Sequence, residues 1–172
     1  MQATAEGHIE MMKKCKPGMR ESQLACHLRH LALFKYNIRF AAFPDIIGSG
    51  KNSAILHYEK NSKIIEDGDL VLCDCGYRVH GYCADITTTF PANGKFTPKQ
   101  KQIYELVLKI NKEVQKMLKP GESWKAMGEL AAKLLLEGLK ELGILKGDIM
   151  TLLKSNVNRL FMPHSLGHLL VI

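Results

Sequence analysis

The sequence predicts an α+β domain. Helical apolar spacing with caps occupies both ends of the chain, while residues from about 38 to 96 form short apolar and threonine-rich runs between Gly, Pro and Asn turns. The third observation is size: 172 residues, 46% of them hydrophobic, suggest one compact domain with a core that needs no disulfides.

The elements follow in order. Residues 3–16 read as a helix that stops at Pro17-Gly18. Residues 20–36 read as a second, with Leu24, Leu28 and Leu31 on one stripe. Ile38 to Phe43 is read as a strand broken at Pro44, followed by Ile46-Ile47-Gly48-Ser49-Gly50. Asp67-Gly68 marks a turn before two strands, Leu70 to Tyr77 and Tyr82 to Phe90, joined by Arg78-Val79-His80-Gly81 as a hairpin. Thr97-Pro98-Lys99-Gln100 supplies an N-cap, a proline at the first helical position and a capping-box glutamine, so a helix should run from there to about Leu118. Ser123 caps the next helix, which carries Met127, Leu130, Leu134 and Leu135 and closes at Gly143. A weaker helix is expected over 147–158, then strand and loop over Leu160 to Leu169.

Composition narrows the function classes. The formal charge is +7, but the lysines are scattered, with no dense basic block, so a solvated surface is favoured over a nucleic-acid face. No apolar run reaches the roughly 20 residues of a membrane span, and no signal-like segment opens the chain. Five cysteines, an odd number, fit a reducing, cytoplasmic setting. Cys73, Cys75 and Cys83 match no standard zinc spacing and read as small buried hydrophobes.

The strongest local feature is Asp74 with Asp85, each inside an apolar and threonine-rich strand. A symmetric hairpin centred between Val79 and His80 would place them directly opposite, with Cβ atoms about 5 Å apart. Two such carboxylates repel one another, and desolvation adds to the cost; a divalent cation between them resolves both. The competing reading is a solvated acid at a sheet edge. His164 and His168 stand four apart, but Pro163 and Gly167 argue against a helix there, so they have different roles or one is structural. By itself His57 is a packed or surface histidine, and Gly48 and Gly50 precede no phosphate-loop signature.

Together these features resemble prolidase, the Xaa-Pro dipeptidase of the pita-bread metallopeptidase family that also holds aminopeptidase P and methionine aminopeptidase. The resemblance rests on Ile47-Gly48-Ser49-Gly50-Lys51-Asn52-Ser53-Ala54-Ile55-Leu56-His57-Tyr58, Leu72-Cys73-Asp74-Cys75-Gly76, Ala84-Asp85-Ile86-Thr87-Thr88-Thr89-Phe90-Pro91-Ala92-Asn93-Gly94-Lys95-Phe96-Thr97 and Phe161-Met162-Pro163-His164-Ser165-Leu166-Gly167-His168. It implies a partial pita-bread (creatinase/aminopeptidase-like) catalytic domain over residues 1–172, with a curved, mostly antiparallel sheet and helices packed on one face. It implies metal ligation by Asp74, Asp85 as the bridging ligand, and His168, with His57 and His164 acting in the substrate site. The implied cofactors are two divalent ions, Mn2+ first and Co2+ or Zn2+ as alternatives, activating a shared hydroxide against the peptide carbonyl.

The resemblance also implies two Glu ligands, a further histidine seven positions beyond His168 and a small N-terminal domain, none of which this sequence contains. Ser165 and Val171 stand where the family favours glycine. The chain alone is therefore expected to be a weak or inactive peptidase with an open sheet edge, its parent a homodimer acting on proline-containing dipeptides without nucleic-acid or membrane partners. The rival expectations are an aminopeptidase P-like exopeptidase and a non-catalytic pita-bread binding module.

Overall fold

The computed structural model describes residues 1–170, so the expectation for Val171 lies outside it. The chain divides into two compact units, residues 1–96 and residues 97–169.

The first unit packs two helices on a three-stranded antiparallel sheet. Helix α1 (Gln2–Lys14) ends before Pro17, and α2 (Glu21–Tyr36) ends on Asn37, whose φ of +52° closes the helix in the left-handed conformation. The strands are β1 (Ile46–Ser49), β2 (Leu70–Cys75) and β5 (Ile86–Pro91), in the order β1-β2-β5. A two-residue ladder, β3 (Arg78–Val79) with β4 (Tyr82–Cys83), extends the hairpin beyond the sheet. Its tip is His80-Gly81, both with positive φ, the backbone of a tight type I′ turn.

Period-two alternation assigns the two faces of β2. Val71, Cys73 and Cys75 are buried and join Met11, Leu24, Leu28 and Ile47 in one core. Cys73 and Cys75 therefore act as small core hydrophobes, as the sequence suggests. Leu70, Leu72 and Asp74 lie on the other, half-buried face. Helices cover one side of the sheet, and the acidic side chain belongs to the other.

Three expectations need correction. Residues 38–43 form no strand; the segment has one bridge, Ala41 with Tyr77, flanked by Ala42 N–H to Gly76 O and Arg78 N–H to Phe40 O. It meets the hairpin where β2 gives way to β3, so no longer ladder develops. The strand predicted from Tyr82 to Phe90 is interrupted at Ala84-Asp85. A Cβ on Gly76 would overlap the Ala84 carbonyl oxygen, so the two strands approach there closely enough to require glycine. The third correction is the strand expected after Leu160: residues 157–160 form a short 3-10 turn and 161–170 are irregular.

In the second unit α3 (Pro98–Met117) begins with the expected capping box, Thr97 with Gln100. Helix α4 (Trp124–Glu141) is capped by Ser123 and packs on α3, with Leu106 set against Gly138. Helix α5 (Ile149–Lys154) is capped by Asp148 and is shorter than the 147–158 expected. Among the described residues no helix is long and apolar enough to cross a membrane.

Candidate metal and substrate site

Asp74 sits on the central strand, and that placement decides its electrostatics. Its neighbours across the ladders are Ile46 of β1 and Thr87 of β5. An apolar partner on one side and a hydroxyl on the other remove much of the water that would solvate a carboxylate on an edge strand.

The register corrects the expected pairing. Paired residue numbers sum to 161, as in Asp74 with Thr87 and Val79 with Tyr82, because the turn centres between His80 and Gly81. Asp85 is thus the diagonal neighbour of Asp74 rather than its direct opposite. Diagonal positions on one face remain within reach of polar side chains. The two carboxyls do meet: Asp74 is held above the ordinary carboxylate range first by burial, then by the charge of Asp85 and a hydrogen bond shared with it. The Thr87 hydroxyl, donating to Asp74, and the positive form of His57 pull the other way. His57 is therefore close enough to sense the acid.

One oxygen of the pair carries the main chemical clue. Asp74 Oδ1 is buried and has no hydrogen-bond partner. A buried carboxylate oxygen without a donor is costly, and a second carboxylate beside it increases the cost. A cation bound between the two acids removes both penalties. The donor set, two carboxylate groups with hydroxyl and imidazole nearby, suits a hard or borderline divalent ion. Among the described residues no three His, Cys, Asp or Glu side chains gather as a ready-made cage.

His57 follows a 3-10 turn, Gly50–Ala54, and adopts φ +51°, which residues other than glycine seldom take. The structure therefore brings Asp74 and Asp85 together in the first unit, with the exposed His57 within electrostatic range of Asp74.

His164 and His168 belong to the second unit, on the irregular segment that Pro163 and Gly167 predicted. Their ring Nδ1 atoms lie 2.7 Å and 2.8 Å from the carbonyl oxygens of Ser165 and Leu169. A carbonyl only accepts, so each Nδ1 carries the proton and the lone pair of the neutral ring sits on Nε2, a nitrogen suited to ligation.

Sequence reasoning passed over three residues. Thr87 becomes the partner of Asp74 only through the register of β2 with β5. His8 of α1 is buried, with Nδ1 2.8 Å from Thr88 Oγ1 and Nε2 3.4 Å from Cys75 O, and so ties the helix to the strands behind the acids. Glu21, fully buried at the first position of α2, had no sequence signal separating it from an ordinary surface helix acid.

The model of metallopeptidase family M24 matches residues 1–172. The chain is 40% identical over 171 residues to the human Xaa-Pro dipeptidase, covering 97% of this chain and 35% of that enzyme. It is 41% identical over 165 residues to the Xaa-Pro aminopeptidase of Escherichia coli, covering 96% and 37%. Among solved structures, Pseudomonas aeruginosa aminopeptidase PepP superposes with a TM-score of 0.94 at 39% identity, over 99% of this chain and 38% of that one. A zinc-substituted Escherichia coli aminopeptidase P in complex with product gives 0.91 at 41% identity, with the same coverages. The chain thus spans little more than a third of the relatives it matches. Its α+β architecture is part of the pita-bread domain of these aminopeptidases, and the chain belongs to metallopeptidase family M24.

Proposed function

We propose that this chain carries the first part of the catalytic centre of a metal-dependent peptidase that cleaves Xaa-Pro peptides, dipeptides with C-terminal proline first among them. The single observation that supports it most is the half-buried Asp74–Asp85 pair, in which Asp74 Oδ1 is buried without a hydrogen-bond partner. Asp74, Asp85 and His168 would hold divalent ions, with Mn2+ the expected metal for an oxygen-rich set containing one imidazole. When bound, such ions supply Lewis acidity that activates water near neutral pH and polarises the scissile carbonyl.

The chain's own residues have separable tasks in this reading. Thr87 orients the Asp74 carboxyl through its hydroxyl. His57 would hold a proton beside the peptide, a role supported by its electrostatic reach to Asp74. His164 presents Nε2 as an acceptor for a substrate N–H or hydroxyl proton. Two carboxylates balance only half the charge of two dications, so the 172-residue chain by itself is a poor catalyst.

Relatives named as dipeptidases and as aminopeptidases match at nearly equal identity, which gives a second reading weight: longer peptides with proline in the second position. The test is release of the N-terminal residue Xaa from an Xaa-Pro dipeptide and from an Xaa-Pro-Yaa tripeptide in saturating Mn2+, by the parent chain and by Asp85→Asn. Slow, metal-dependent turnover lost in Asp85→Asn supports the peptidase reading, and the favoured substrate decides between the two lengths. Turnover equal with and without metal, or unchanged in Asp85→Asn, overturns it.

A further inference from the structure

The loop that carries His57 has little to hold it from its own side chains. Ile55 and Leu56 are exposed, and His57 itself is in a left-handed conformation disfavoured for a residue with a Cβ. Yet both flanks of the histidine converge on one buried carboxylate. Glu21 Oε1 accepts from Ser49 N–H at 2.8 Å, Ser49 Oγ at 2.8 Å and Asn52 Nδ2 at 3.2 Å. Its Oε2 accepts from Tyr58 OH at 2.9 Å and from Lys63 N–H at 2.9 Å.

These five donors come from the end of β1, the 3-10 turn, the residue after His57 and the segment returning to β2. Asn52 also donates to Tyr58 OH at 2.9 Å, which closes the ring of contacts beneath residues 53–57. The same segment pairs with the start of α2, through Glu21 N–H to Lys63 O and Ser22 N–H to Asn61 O.

A fully buried acid normally resists ionisation. Here burial pushes Glu21 up, but the Ser49, Lys63 and Tyr58 hydrogen bonds outweigh it and hold the carboxyl below its ordinary value. The group is thus an anion at neutral pH that accepts hydrogen bonds on both oxygens. A buried anion of this kind specifies one loop geometry, because any rearrangement strips donors from its charge.

We propose that Glu21 is a positioning residue: it clasps the base of the 50–58 loop and so fixes the position of the His57 imidazole. The inference rests on reading His57 as part of the substrate site, but its test reads geometry rather than turnover. Backbone relaxation and histidine-ring NMR spectra would be recorded for the full chain, Glu21→Gln and Tyr58→Phe, with hydrogen exchange of the β2 amides reporting the fold.

Gln keeps the size of Glu but replaces one accepting oxygen with a donor amide facing other donors. The expected result is an order parameter for residues 53–57 that falls from about 0.85 to below about 0.6 in Glu21→Gln. The His57 ring resonances should shift in Glu21→Gln, with smaller changes of the same sign in Tyr58→Phe. Exchange of the β2 amides should stay within about threefold of the parent. Unchanged loop order and unchanged His57 resonances in the folded variants would overturn the proposal. If Glu21→Gln does not fold, Tyr58→Phe decides alone, since it removes one donor and leaves four. Failure of the chain to bind Mn2+ would count against the peptidase reading and leave these spectra unaffected.

Discussion

Replacing Asp74 by Asn should stabilise the metal-free protein. Asp74 is half-buried on a central strand, has one oxygen without a partner, and faces the charge of Asp85. Asn has nearly the same shape. Its carbonyl can accept from Thr87, and its amide can donate to Asp85, so a repulsion becomes a hydrogen bond. Relief of this kind at a strained functional site is worth about 1 kcal/mol, or about 2–4 °C in Tm for a chain of this length.

The pH dependence fixes the sign. The folded-state pKa of Asp74 is raised, so its ionisation opposes folding; the penalty is absent below the ordinary value of 3.8 and grows as pH rises through the folded value. The gain in Asp74→Asn should therefore be full at neutral pH and vanish as pH approaches 4. Mn2+ should reverse the order: at a free concentration about 100 times its Kd, a metal adds about 2.7 kcal/mol to the parent, and Asp74→Asn should lose most of that. Thermal unfolding at several pH values, with Mn2+ and with chelator, measures all of this. If metal-free Asp74→Asn proved less stable than the parent at neutral pH, Asp74 would be a structural anchor and the cation argument would collapse.

Other perturbations test the scaffold. Gly76→Ala should cost about 3 kcal/mol or more in urea unfolding, because the new methyl meets the Ala84 carbonyl rather than a flexible side chain. A cost under 1 kcal/mol would show that the hairpin can shift. His8 is held below its ordinary value of 6.5 chiefly by burial, so the folded state resists the proton that the unfolded state takes up. Stability should fall as pH drops below about 6.5, and His8→Gln should flatten that slope while costing about 1–2 kcal/mol at pH 8 through the contacts to Thr88 and Cys75. An unchanged slope in His8→Gln would assign the acid sensitivity to another group.

The parts of this fold legible in the sequence were those governed by local rules. Pro17, the Thr97 capping box, the Ser123 cap and Gly143 set helix ends through contacts a few residues long. Asp74 and Asp85 stood out because an acid inside an apolar strand calls for an explanation. Their register did not emerge, since one residue of uncertainty in the turn shifts every cross-strand pair; only the positive φ of His80 and Gly81 settles it. Residues 38–43 have strand composition, but their only partner is the break in the hairpin, and strand composition without a partner leaves a loop. Glu21 was hidden for a deeper reason. Its five donors are 28 to 42 residues away, and nothing in the local pattern distinguishes a clasp from a solvated helix acid.

The central claim is that Asp74 and Asp85 together seat a divalent cation. The most direct measurement is the free Mn2+ signal in electron paramagnetic resonance, titrated into the parent chain, Asp74→Asn and Asp85→Asn at neutral pH. The account predicts that the parent depletes the free signal and that each variant weakens binding at least about tenfold, a loss of about 1.4 kcal/mol. Identical depletion curves for all three proteins, or no depletion by the parent, would contradict it.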